Sequence, residues 1–160
     1  MKKHLPRAVA VTCLASSLWS CVTTPTIKDL EPVPDGIGKV VNLAQGWSQE
    51  EQEWFWFTTQ GSQIIPYEWF LVLEQATNDR LFRANANFER FKYLTAKPSK
   101  LNPDGLPVGF VKDIDDNGHP WMGLTCAACH TNQINFNGVG LIIDGAPTLA
   151  DFTAFYDEMV

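Results

Sequence analysis

The chain has 160 residues with 12 basic and 18 acidic side chains, a net charge of −6. That balance argues against nucleic acid or an anionic membrane face as a partner. Six Trp and ten Phe supply an aromatic content that suits a compact core as well as a cofactor pocket.

Residues 1–20 read as a signal peptide. Lys2, Lys3 and Arg7 give a positive start, and Ala8 to Trp19 is an uncharged, mostly apolar or small stretch, too short for an ordinary transmembrane helix. Leu18-Trp19-Ser20-Cys21 has the form of a lipoprotein cleavage box, with Cys21 as the lipidated first residue. Trp19 departs from the small or aliphatic residue usual there, so simple cleavage near Ser20 is the alternative. The expectation is an exported protein, in the periplasm or held to a bacterial cell envelope by its lipid anchor only. Loss of Lys2, Lys3 and Arg7 leaves nine basic against eighteen acidic residues, a net charge of −9. A basic redox partner protein would complement it. About 140 residues remain, one small domain by the usual length prior.

Residues 21–46 hold Pro25, Pro32, Pro34, Gly36, Gly38 and Gly46 and read as a tether or extended arm. Ser48-Gln49-Glu50-Glu51 is a capping box and predicts a helix to about Gln60, with Gly61 as its stop. Trp54, Phe55, Trp56 and Phe57 make that helix apolar on more than one face, so it is expected to be well buried. Pro66 opens a second predicted helix to about Asn78, with Trp69, Phe70 and Leu73 on one stripe. A weaker third covers Asp79 to Tyr93. Its Arg80, Arg83, Arg90 and Lys92 read first as solvated helix charges and second as partners for cofactor carboxylates. From Thr95 to Trp121 the turn signals Lys97-Pro98, Asn102-Pro103-Asp104-Gly105, Leu106-Pro107 and Asn117-Gly118 predict one long loop.

Cys126-Ala127-Ala128-Cys129-His130 follows. Cys-x-x-Cys-His is the attachment signature of a c-type haem. Two thiols three positions apart on a helical turn each form a thioether to a haem vinyl group, and the next residue places an imidazole on the iron. One covalent haem c is therefore expected, with Cys126 and Cys129 as anchors and His130 as proximal ligand. A thioredoxin-like redox pair and a structural zinc site are the competing readings. The first lacks a clear preceding strand in the sequence, and the second lacks ligands, His119 being the only other nearby histidine. The remaining cysteines imply no structural disulfide: Cys13 leaves with the signal and Cys21 is lipidated or removed.

Asn135 to Asp144 alternates around Gly138 and Gly140 as a small hairpin. Pro147 then opens a last helix with Leu149, Phe152, Phe155 or Tyr156, and Met159 on one face. Asp157 and Glu158 oppose the helix dipole at its end and no capping residue closes it, so residues 47–160 are expected to be a c-type haem domain truncated at its C-terminal end.

The sixth iron position decides between electron transfer and chemistry on an open iron. Met159, His119 and Met122 are the candidate distal ligands. Each has a plainer role: Met159 in the core, Met122 packed at the haem edge, His119 in a solvated loop held extended by Pro120. The leading expectation is an open or loosely ligated iron. Asp113-Ile114-Asp115-Asp116-Asn117-Gly118 matches the first half of a calcium loop, but Leu124 stands at the twelfth position in place of the bidentate Glu, and a plain acidic turn is favoured.

Gln45-Gly46-Trp47-Ser48, Gln60 to Phe70, Asn102 to Phe110 and Gly123 to Thr131 together resemble the N-terminal part of rubber-oxygenase-like di-haem cytochromes c, relatives of bacterial di-haem cytochrome c peroxidases. The resemblance runs from about Gln45 to Val160. It implies two mostly helical haem domains, each with its own Cys-x-x-Cys-His, and only Cys126, Cys129 and His130 carry over. This chain holds no second motif, so peroxidase or oxygenase activity is expected only if the other half is supplied. The expected fold is mainly α: a cytochrome-c-like haem domain with long wrapping loops and a helical N-terminal extension. The expected function is electron transfer, with a haem enzyme with an open sixth iron site, or a non-catalytic fragment of one, as alternatives.

Overall fold

Ser48 begins the first helix of the protein, described here by a computed structural model over residues 37–160. The Ser48 side chain accepts from Glu51 N at 3.2 Å, and the Glu51 carboxylate accepts from Ser48 N at 2.8 Å, so the capping box forms in both directions. Helix α1 (Gln49–Phe57) is closed by Thr58, whose N–H donates to Trp54 O, so its last residue is three short of Gln60. Its buried residues are only Gln52 and Phe57, while Trp54 is 63% exposed, so the expectation of a well-buried helix is corrected.

The mainly α expectation is overturned. The described residues hold eight strands in three sheets and five short helices, the longest of nine residues. After β1 (Lys39–Asn42) and α1 come β2 (Ile65–Pro66) and α2 (Tyr67–Val72). The second predicted helix stops at Val72 because the next residues form a hairpin, β3 (Glu74–Gln75) with β4 (Asn78–Leu81). Asn78 Nδ2 donates to Gln75 Oε1 at 3.2 Å and Asn78 Oδ1 accepts from Arg80 N at 3.0 Å. Such local side-chain bonds give the backbone an alternative to the helical ladder. The third predicted helix therefore shrinks to α3 (Asn85–Arg90), and Lys92 turns the chain back with φ 66°.

The predicted long loop contains β5 (Phe110–Ile114) and the start of β6 (Pro120–Leu124), paired antiparallel from Phe110↔Leu124 to Ile114↔Pro120. Asp115 organises the turn between them, accepting from Asn117 N at 2.9 Å and His119 N at 2.8 Å. Asn117-Gly118 thus marks the end of a hairpin, while residues 93–109, with the other turn signals, hold neither helix nor strand. Strand β6 runs through Thr125 into α4 (Cys126–His130), which passes directly into β7 (Thr131–Phe136). β7 and β8 (Val139–Asp144) are joined by Asn137-Gly138, both with positive φ, the two-residue hairpin turn that suits strand twist. β1 lies inside the stretch read as a tether and pairs parallel with β8, giving the sheet order β1-β8-β7; the other larger sheet is β2-β6-β5. Helix α4 is consequently the link between the two three-stranded sheets.

The last helix, α5 (Phe152–Met159), opens at Asp151 instead of Pro147, the Asp151 side chain accepting from Ala154 N at 2.9 Å. Phe155 and Met159 are buried, but Leu149, Phe152 and Tyr156 are exposed. Phe155 sits among Phe110, Tyr93, Phe82, Phe91 and Phe88 with ring centroids 5.3–5.8 Å away. This aromatic cluster is the core, and it reaches Ala128 of α4. No helix among the described residues is long and apolar enough to cross a membrane.

Candidate functional site

Ala127 and Ala128 are strong helix formers, and Thr125 caps them by accepting from Ala127 N at 3.2 Å. The turn ends at His130 because Thr131 enters the β7–β8 ladder opposite Asp144. Ala127 and Ala128 are buried, whereas Cys126, Cys129 and His130 are exposed. The two thiols are free. A 3.6-residue period explains the division: positions 126, 129 and 130 share one face, and 127 and 128 fall on the other.

The inner face of α4 lies directly on backbone. Thr125 N donates to Gly109 O at 2.8 Å, and a Cβ on Gly109 would stand 2.1 Å from Ala128 N. The end of α1 and the residues after it secure the outer turn. Thr125 Oγ1 donates to Trp56 O at 3.1 Å, and Cys126 N donates to Gln60 Oε1 at 3.1 Å. At the other end, Gly145 N donates to His130 O at 2.6 Å and Thr148 N to Cys129 O at 3.0 Å.

Beneath this end lies Asp144, a buried carboxylate that the sequence reading did not single out. Its Oδ1 accepts from Trp56 Nε1 at 2.6 Å and Thr131 Oγ1 at 3.0 Å, and its Oδ2 accepts from Gln52 Nε2 at 2.6 Å. Gln45 clasps the same residue's backbone in both directions, at 2.8 and 2.9 Å. The only hint in the sequence is an acid ending the apolar run Val139 to Ile143. Replacing Asp144 with Ala strands three donors, each of which costs about 1–3 kcal/mol when buried and unpaired. The expected loss is about 3–5 kcal/mol in urea denaturation. Asp144→Asn should recover most of it, since Gln52 can turn its amide to present an oxygen.

The other predicted ligands lie elsewhere. Met122 and Met159 are in the aromatic core, and His119 is exposed in the β5–β6 turn with Nδ1 3.3 Å from Asp115 Oδ2. Asp113 accepts from Thr59 at 2.5 Å and Gln63 at 2.7 Å, whereas Asp115 serves the turn, so these two carboxylates of the calcium-like stretch are directed to different partners. The backbone N–H of His119, first among several donors, holds the Asp115 carboxyl below its ordinary value. Arg83 donates to Leu71 O at 2.9 Å and Arg90 pairs with Glu158 at 2.7 Å. Among the described residues, no three His, Cys, Asp or Glu side chains converge as a metal-ion cage. Cys21 lies outside the described residues.

Contrary to the sequence expectation, a strand, β6, does precede the motif, as a redox pair would have it. The motif helix, however, lasts one turn and leads straight into β7, with an exposed imidazole as its last residue. Two free thiols and an imidazole on one face are a donor set that fits haem c. A second feature agrees. Tyr93 Oη is buried without a hydrogen-bond partner, and that burial above all holds its phenol well above its ordinary value.

No family model and no solved structure matches the chain. Among curated proteins it is similar to Uncharacterized protein y4iJ of Sinorhizobium fredii (strain NBRC 101917 / NGR234), with 36% identity over 148 residues, 79% of this chain and 24% of the relative. The chain thus spans about a quarter of the length of the curated relative it matches.

Proposed function

We propose that this chain is an exported c-type cytochrome domain that carries one covalent haem and passes electrons to a partner protein. The observation that carries the reading is the one-face exposure of Cys126, Cys129 and His130 on a single capped turn whose two alanines are buried. Cys126 and Cys129 would hold the group by thioethers to its two vinyl groups, each S–H adding across one C=C so that no other reactant is needed. His130 supplies the proximal nitrogen. Bound haem supplies a one-electron iron couple. The chain's part is to hold that couple in place through the Gly109, Trp56, Gln60 and Asp144 contacts. The likeness to the first domain of rubber-oxygenase-like di-haem cytochromes supports the same assignment. The basic start of the chain and Cys21 support export and a lipid anchor, and the acidic balance supports a basic redox partner.

A second reading, an iron open to oxygen or peroxide, is favoured by one observation: Met122 and Met159 are engaged in the core and His119 stands out in a turn. Spectra of the reduced protein with and without carbon monoxide separate the two. Ready uptake, with His119→Ala leaving the spin state unchanged, supports the open iron. A spectrum indifferent to carbon monoxide supports a closed electron carrier, and a shift to high spin in His119→Ala would identify the closing ligand.

A further inference from the structure

Asp144 is the one fully engaged carboxylate beside the motif, and all its side-chain partners are neutral: an amide, an indole and a hydroxyl. It is 6% exposed. Neither salt bridge among the described residues includes it. Hydrogen bonds stabilise a buried carboxylate but leave its charge in place, and low local dielectric lengthens the reach of that charge. Its place in the chain matters. Thr131, one of its donors, follows His130, and Gly145, the residue after it, holds the His130 carbonyl at 2.6 Å.

We propose that Asp144 is a positioning and tuning residue for the haem iron, fixing the His130 turn and setting a negative charge beneath it that favours the oxidised, more positive state. This rests on the haem reading above. A group with only a structural role would act through its hydrogen bonds; this one also acts through its charge, and the two separate by substitution. Asp144→Asn keeps the shape and, with the Gln52 amide turned, most of the hydrogen bonds, but removes the charge. Thr131→Val keeps the charge and removes a donor that partly offsets it.

The test is the midpoint potential of the matured holoprotein, with covalent haem counted by pyridine haemochrome. Asp144→Asn is expected to retain the wild-type haem count and to shift the potential upward. Thr131→Val is expected to shift it downward, and it decides the matter if Asp144→Asn does not fold. Haem-loaded variants with the wild-type potential would overturn the tuning role and leave the haem reading standing. A wild-type protein without covalent haem would overturn both.

Discussion

Replacing Cys126 and Cys129 together with Ser is expected to abolish covalent haem while leaving the apoprotein folded. A serine hydroxyl does not add to the vinyl groups as a thiol does, so no thioether forms. Both side chains are exposed and neither is in a disulfide, so the change in stability should stay within about 0.5 kcal/mol. His130 survives in this variant, and any haem it retains is held by coordination alone. Haem staining after denaturing electrophoresis reads the difference: a haem-stained band at the size of the protein for the wild type and none for the double variant. Each single variant keeps one thioether and should retain a weaker band. Stain in the double variant would mean that other residues anchor the group.

Gly109→Ala is expected to destabilise the protein by more than about 5 kcal/mol, a large share of what a small domain has. The added Cβ would stand 2.1 Å from Ala128 N and 2.4 Å from Ala128 Cα, backbone atoms of the motif turn that no side-chain rotation moves. Gly109 also has φ +82°, which an L-residue adopts at a cost of about 1–2 kcal/mol. Gly118 separates the two causes. Its φ is +84° with nothing within 4 Å, so Gly118→Ala should cost only the conformational part, about 1–2 kcal/mol. Thermal unfolding of both variants checks this. Equal losses would mean that α4 is not seated on the Gly109 backbone as described.

These two sites differ in how far the sequence reveals them. The shared exposed face of Cys126, Cys129 and His130 is legible because one helical turn converts their local spacing directly into it. The Ser48–Glu51 cap and the Asn137-Gly138 turn are legible for the same reason, each being closed within a few residues. Gly109 carries no such signal. Its constraint comes from Ala128, and no local pattern announces a backbone contact across 19 positions. Asp144 gathers Gln45, Gln52, Trp56 and Thr131 from three separate segments.

The strands were hidden for related reasons. Lys39–Asn42 is four residues among prolines and glycines, and its parallel pairing with β8 spans about a hundred residues. Pro120 to Leu124 begins with a residue that reads as a breaker, although Pro is tolerated as the first residue of a strand. Asn117-Gly118 beside it looks like loop interior but is the turn of the β5–β6 hairpin, whereas the mainly α expectation rests on the helical patterns and the resemblance. Phe88, Phe91 and Phe155 mark helix faces in the sequence while Phe110 falls in the expected loop, and in the fold all four meet in one core.

The most direct test of the account is the pyridine haemochrome of the protein purified from cells that carry a cytochrome c maturation system, recorded after acid–acetone extraction. The account predicts one haem per chain that stays with the polypeptide and gives the thioether-type α-band. Extraction of all haem into the organic phase, or a protein with no haem at all, would contradict it and return Cys126 and Cys129 to the redox-pair reading that the β6–α4 connection leaves open.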